Sequence, residues 1–260
     1  MKPRARGTAR LFGAAPLAAA LAALALLGAC SFMGGREAPP PDYAAIIAAP
    51  DRSDADRRTD VRRKQPQLLV FSGVRTGMHV LDMGADAGYS TELLARSVGP
   101  GGTVYAQNSQ EVLDTVVKGA FDERMKRPAM ANVVKVVRNF DDPVPLGVRD
   151  LDLVTFFFAY HDLGYMNVDR ASMNRHLFEA LKPGGHFIIA DHSAQAGAGT
   201  SVSKTLHRIE EALLRKEVEA AGFKLVREGN FMRNPDDSRG DLVFRAKVPV
   251  DEFVLDYMKP

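Results

Sequence analysis

The chain of 260 residues has one cysteine, Cys30, and no tryptophan. A lone thiol excludes a disulfide framework and any zinc site made of several cysteines. An excess of charge of one sign is also missing: 34 basic residues stand against 32 acidic ones. That balance gives no reason to expect nucleic acid as a partner. The string G-x-G-x-x-G is absent, which makes a nicotinamide dinucleotide the weaker ligand expectation. Beyond residue 50 there is no internal repeat. What is present is ordinary for a globular protein, with 46% apolar and 25% charged residues.

The one long apolar run lies near the start. Lys2, Arg4, Arg6 and Arg10 are the only charges before residue 36, and without them the balance turns slightly acidic. The apolar stretch Ala14 to Leu27 is short for a membrane-spanning helix. A basic head followed by such a run is the pattern of an export signal. It ends in Leu27-Gly28-Ala29-Cys30, which resembles a bacterial lipobox. That resemblance implies a lipoprotein signal peptide over 1–29, lipid on Cys30, and anchorage in the cell envelope. With Ser31 next, it implies the outer membrane, facing the periplasm. An ordinary cleaved signal, or a start at Met33, are the alternatives. Residues 30–50, rich in Pro, Ala and Gly, are expected to form a flexible tether, with one folded domain over 51–260.

From residue 51 on, short apolar strands alternate with amphipathic helices. Helices are expected over Asp56 to Phe71, Tyr89 to Val98, Gln110 to Met125, Asp169 to Leu181, and Val202 to Ala221. Strands are expected over 78–84, 103–108, 132–137, 151–160, 186–191, 223–232 and 251–258. Strand and helix in alternation, joined by right-handed crossovers, give an α/β, Rossmann-like doubly wound sheet.

The informative segment is Val80-Leu81-Asp82-Met83-Gly84-Ala85-Asp86-Ala87-Gly88-Tyr89. A buried strand delivers the Asp82 carboxylate to the edge of the sheet where ligands bind. A turn holding Gly84 and Gly88 follows, then a helix whose N-terminus favours a negative group. A ligand carrying both signs of charge suits that mixture. The segment resembles the first motif of class I S-adenosylmethionine-dependent methyltransferases, an acid followed by Gly-x-Gly-x-Gly. Asp86 replaces the middle glycine, where it either crowds the methionine end of the cofactor or takes a left-handed backbone that Asp tolerates. Further matches are Asn139-Phe140-Asp141-Asp142-Pro143, Asp150 to Val154 with Phe156 to Phe158, LKPGGHFIIAD at 181–191, and the final FVLDYMKP. The resemblance covers about 57–260 and looks like that of a group of exported bacterial methyltransferases. It implies S-adenosyl-L-methionine as cofactor, a mostly parallel sheet with an antiparallel closing strand, and a small-molecule methyl acceptor. It assigns Asp82, Gly84 and Gly88 to the methionine end, with Tyr89 also binding the cofactor. It puts Asn108 at the ribose, where the family usually has an acid, and Asp141 or Asp142 at adenine, with Phe158 as a further neighbour.

Two His/Asp pairs close strands at the same edge: His161-Asp162 and Asp191-His192. Histidine titrates in the useful range and a carboxylate can orient it. His161 is the expected base, with Asp191 or Asp162 beside it. Strand-end capping is the competing role for all four. Two His and two Asp also suit a divalent ion, but nothing in their spacing demands one and no metal is expected. Tyr160 is expected to wall the pocket. His207 is placed on a helix surface or behind the site, and His79 in packing. Arg57, Arg58, Arg62, Arg63 and Lys64 read as a solvated helix face. Loops at 194–203 and 234–240 are expected to shape the acceptor pocket.

An export signal conflicts with a cofactor made in the cytoplasm. Asp86 at a usual glycine and Gln107-Asn108 in place of an acid point the same way. The second reading is therefore a catalytically inactive envelope lipoprotein that binds a ligand or a partner.

Overall fold

Seven strands form one sheet: β1 (His79–Met83), β2 (Thr103–Asn108), β3 (Val133–Val137), β4 (Leu151–Phe157), β5 (Leu181–His192), β6 (Lys224–Gly229) and β7 (Glu252–Met258). The computed structural model describes residues 38–260, together with Met1. Cys30 and the apolar run of the expected export signal lie outside the described residues. The strand order is β3-β2-β1-β4-β5-β7-β6. β1 to β5 run parallel, and β7 is antiparallel to both β5 and β6. This is the expected mostly parallel, doubly wound sheet with an antiparallel closing strand.

Side-chain alternation along each strand divides the core in two. Val80, Val104, Leu153, Ile188 and Val254 face one layer, with Leu68, Leu93, Leu94 and Phe121. Leu81, Val154, Phe156, Ile189 and Leu255 face the other, with Met173, Leu177, Leu214 and Val218. Both faces of the central strands are thus covered, which is why β4 reads as a continuous apolar run.

The helices are α1 (Tyr43–Ile47), α2 (Asp54–Arg62), α3 (Gln65–Ser72), α4 (Tyr89–Val98), α5 (Gln110–Val112), α6 (Ala120–Met125), α7 (Arg170–Ala180), α8 (Ser203–Leu206) and α9 (Glu211–Ala220). Side-chain caps start several of them: Ser53 accepts from Asp56 N, Ser109 from Val112 N, and Asp169 from Ser172 N. No helix among the described residues is long and apolar enough to cross a membrane.

Four expectations change. The stretch 30–50 is not all tether: α1 packs Tyr43, Ile46 and Ile47 against the core, and Tyr43 Oη donates to Val74 O at 2.6 Å. The compact unit accordingly runs from Ala38 to Pro260. The helix expected over 56–71 breaks at Lys64, whose φ is 44°, with Pro66 opening the next helix. The helix over 110–125 passes through a π-helical turn, Leu113–Val117, and stops at Lys118 and Gly119, both left-handed. The helix over 202–221 is cut at His207, with φ 54°, leaving α8 and α9 either side of an extended Arg208 to Glu210. In each case the apolar spacing runs on across the break, so periodicity alone does not reveal it.

Candidate functional site

The C-terminal ends of β1, β2, β4 and β5 meet at one edge of the sheet. The turn after β1 passes from Gly84 (φ 58°) through Asp86 (φ 50°) to Gly88 (φ 81°). Left-handed backbone at all three brings main chain close to the edge. Asp86 tolerates it because Asp and Asn visit this region more easily than other side chains. At Gly88 a Cβ would lie 2.9 Å from Arg124 Cδ and 3.2 Å from the Phe121 ring, so glycine there is needed for packing as well as for φ.

The turn is pinned from the end of β2 by two amides. Gly84 N donates to Gln107 Oε1 at 3.1 Å, and Ala85 N to Gln107 O at 2.9 Å. Asp86 N donates to Asn108 Oδ1 at 2.9 Å, and Asn108 Nδ2 returns a bond to Asp86 O at 3.1 Å. Both amides are buried. The pair that replaces the expected acid therefore braces the loop. The next carboxylate along, Glu111 in α5, lines the cavity instead.

Asp82 is buried at the end of β1 and accepts from Thr91 Oγ1 at 2.6 Å and Thr155 Oγ1 at 2.8 Å. Burial raises its pKa to about 6 against the pull of those two hydroxyls. Tyr89 opens α4, and its hydroxyl donates to Asp60 Oδ1 at 2.5 Å.

A cavity of about 440 Å³ runs from Gly84 and Asp86 past Phe140 and Phe158 to His161, Asp162 and His207. Its size falls within the range of small-ligand pockets. A second hollow of about 180 Å³ lies on the other side of the glycine turn, reaching Asp82, Tyr89 and Ser90. Arg63 borders both. The expected solvated face of α2 is thus wrong at this position. The break at Lys64 turns Arg63 inward, with its guanidinium 5.5 Å from the centre of the Tyr89 ring and 4.8 Å from that of Phe158. Its Nε finds no hydrogen-bond partner, and burial pushes its pKa down. Facing it, Asp86 is raised by burial and lowered in part by Arg63. A half-buried cation among aromatic faces, with its Nε buried and unpartnered, suits an anionic group.

At the far end, His161 sits in the short 3₁₀ turn after β4. Its Nδ1 lies 2.7 Å from Asp191 Oδ1, and its backbone N donates to Asp191 Oδ2 at 2.8 Å. Its Nε2 lies 3.1 Å from Asp162 Oδ1 and 3.2 Å from His207 Nδ1. Burial by itself lowers the His161 pKa, but Asp191 and Asp162 outweigh it and raise it to about 10. The two carboxylates thus favour the charged imidazole over the neutral one. Asp162 is raised by burial but held below its usual range by His161, by the Tyr165 hydroxyl at 2.8 Å and by His207.

His192 reaches the cavity from the end of β5. Its Nδ1 is 2.9 Å from Glu252 Oε1, its partner across the β5–β7 pair, and its ring packs at 5.3 Å from Phe158. Structure thus gathers His161, Asp162 and His192 at the cavity, with Asp191 behind them.

Other residues fall elsewhere. Asp141 and Asp142 do not line the cavity: Asp142 is exposed and paired with Arg138, and Asp141 O is bonded to His176 Nδ1 at 2.9 Å. Tyr160 is buried away from the cavity, where its hydroxyl donates to Glu217 Oε2 at 2.9 Å. His79 is exposed at the start of β1. The expected pocket loops 194–203 and 234–240 do not line the cavity, whereas Phe244 does. Arg63, Glu111, His207, Phe244 and Glu252 were not expected there. Only Glu111, three residues beyond Asn108, carried a signal of position.

No family model matches the chain. It is 31% identical over 127 residues to a ubiquinone/menaquinone biosynthesis C-methyltransferase of Idiomarina loihiensis, covering 49% of this chain and 47% of that protein. It is 33% identical over 121 residues to a protein-L-isoaspartate O-methyltransferase of Triticum aestivum, covering 46% and 49%. The chain therefore spans about half the length of these relatives. A solved S-adenosylmethionine-dependent methyltransferase of Aquifex aeolicus superposes with a TM-score of 0.58 at 20% identity, covering 85% of this chain and all of that one. Strand order, glycine turn and superposition agree: this chain has the Rossmann-like fold of class I S-adenosylmethionine-dependent methyltransferases.

Proposed function

We propose that the chain transfers a methyl group from S-adenosyl-L-methionine to a small-molecule acceptor held in the larger cavity. The observation that carries this is the continuity of that cavity, from the pinned glycine turn to the His161 cluster. The donor set fits such a cofactor. The half-buried guanidinium of Arg63, which borders both hollows, would take its carboxylate, and Asp82 in the smaller hollow would favour its ammonium. Glu111, rather than the engaged amide of Asn108, would hold the ribose hydroxyls, with Phe140 and Phe158 as apolar walls.

When bound, the cofactor supplies a sulfonium carbon open to in-line displacement, a reaction in which positioning does much of the work. The rest falls to the chain's own groups. His161, fixed by Asp191, would position an acceptor oxygen at the cavity wall. Asp162 stands beside it at the cavity, and His192 with Phe158 closes the wall.

Calorimetric titration of S-adenosylmethionine and S-adenosylhomocysteine into the full chain tests this. Micromolar binding is expected, weakened at least about tenfold in Asp82→Ala and in Arg63→Met, as for loss of a buried charged contact. A folded protein that takes up neither compound overturns the proposal.

The envelope location remains a proposal carried by the Leu27-Gly28-Ala29-Cys30 pattern. Labelled fatty acid should enter the chain in cells and fail to enter Cys30→Ala; equal labelling of the two would overturn it.

A further inference from the structure

The cluster at the far end of the cavity brings three atoms of metal-ligating type into mutual contact. Three side-chain atoms from two separate segments converge: His161 Nε2, Asp162 Oδ1 and His207 Nδ1. Their separations are 3.1 Å, 3.2 Å and 3.3 Å. The triangle is nearly equilateral. At bond lengths of about 2.1 Å, neighbouring ligands of a transition metal lie about 3.0 Å apart in octahedral geometry and about 3.4 Å apart in tetrahedral geometry. The observed spacings fall between these two values. An ion set just off the plane of the three atoms meets all of them without any side chain moving far.

The surroundings have the features of a metal centre. A ligating histidine usually gives its other ring nitrogen to a carboxylate, which fixes the tautomer and aims the free nitrogen. His161 does this: Nδ1 is 2.7 Å from the fully buried Asp191, leaving Nε2 for the cluster. Asp191 is held in turn by the backbone N–H groups of His161 and His192, each at 2.8 Å. Asp162 Oδ1 is oriented by the Tyr165 hydroxyl at 2.8 Å.

His207 is held in place at a structural cost. It adopts a left-handed backbone, φ 54°, which is strained for a side chain of this kind. The next residue, Arg208, is buried and clamped by Asp237 at 2.8 Å and by Ser193 O at 2.9 Å. The clamp breaks what would otherwise be one continuous helix, and the break carries the His207 ring to His161.

We infer that His161, Asp162 and His207 form a binding site for a divalent first-row transition-metal ion, of the two-histidine, one-carboxylate type. All three residues line the cavity, so the remaining coordination positions face it and would take an oxygen of the molecule bound there. The ligand types suit Zn²⁺, Mn²⁺ or Fe²⁺ and disfavour Cu⁺, which prefers sulfur. The inference does not depend on methyl transfer, and metal uptake is read without any cofactor.

The test uses the full chain, expressed without a histidine tag and stripped with a chelator, and Co²⁺ as the probe. One equivalent of Co²⁺ should give visible ligand-field absorption that Zn²⁺ then abolishes. His207→Ala and Asp162→Asn should weaken uptake at least about tenfold, while His79→Ala, on the exposed start of β1, should bind like the natural chain. Circular dichroism confirms that each variant is folded. Absorption that is missing in the natural chain, or that persists unchanged in both folded cluster variants, overturns the inference. Calorimetry with S-adenosylmethionine alone separates this result from that of the methyl-transfer proposal.

Discussion

The two ends of the cavity are built by opposite means. At the glycine turn, neighbouring strands supply neutral amides: Gln107 and Asn108 hold residues 84–86 through backbone hydrogen bonds. At the other end, charged and titratable groups arrive from distant segments: His161 from after β4, Asp191 from β5, and His207 from between α8 and α9. The first end is a local motif that one strand–turn–helix unit nearly completes. The second exists only once the sheet and the region beyond it are in place. On the proposed reading, the cofactor end is set by backbone shape and the acceptor end by the chemistry of its side chains.

The largest effect that should expose this difference is at Arg208. Its guanidinium and the Asp237 carboxylate are both buried. Arg208→Ala leaves an unpaired buried charge and should cost about 3–5 kcal/mol in denaturant unfolding. If the two ends are separate, the residual folded protein loses metal uptake before it loses S-adenosylmethionine binding.

Asp82 gives the next effect, through pH. Its folded pKa, about 6, lies above the ordinary carboxylate value of 3.8. The native state therefore binds this proton more tightly than the unfolded chain. The resulting penalty is absent below about pH 4, grows as pH rises, and is complete above the folded value. Asp82→Asn removes it. The stability advantage of the variant over the natural chain should widen by up to about 3 kcal/mol between pH 4 and pH 7.5. An advantage that stays flat or shrinks would mean that the carboxylate is well solvated.

Smaller effects separate the turn from its braces. Asn108→Ala strands the N–H and C=O of Asp86 and should cost about 1–3 kcal/mol. Asp86→Gly relieves a left-handed Asp and keeps both backbone bonds, so it should change stability by less than about 1 kcal/mol. Thermal scans of both variants rank them. The reverse order would place the role of this position in its carboxylate rather than its backbone.

The same contrast explains what was legible in the sequence. α4 and β2 coincide with their expected spans to the residue, since Gly88 and Gly99 bound the one and buried alternation marks the other. The cap at Asp169 was equally readable. The turn from Asp82 to Gly88 was found because its residues are consecutive. His207 and Arg63 were missed for a shared reason. Each adjoins or occupies a left-handed break inside an amphipathic pattern, and neither Lys64 nor His207 announces such a break by residue type. Asn108 stands at the end of β2 as expected, but its amide is taken up by the backbone of Asp86, a partner 22 positions away.

The position of β7 bears on how the molecule is made. It is the last strand in chain order, yet it lies inside the sheet between β5 and β6. Until Glu252–Met258 is available, β5 has an open edge of unpaired backbone groups and β6 has no neighbour. Such an edge is a template for pairing with other chains, and filling it requires contacts between residues far apart in sequence, a slow class of folding event. The strand that carries Glu252 to His192 is therefore a checkpoint. A nascent or truncated chain lacking these few residues should hold a formed glycine turn, an unfinished wall around the histidines, and a strong tendency to self-associate along β5.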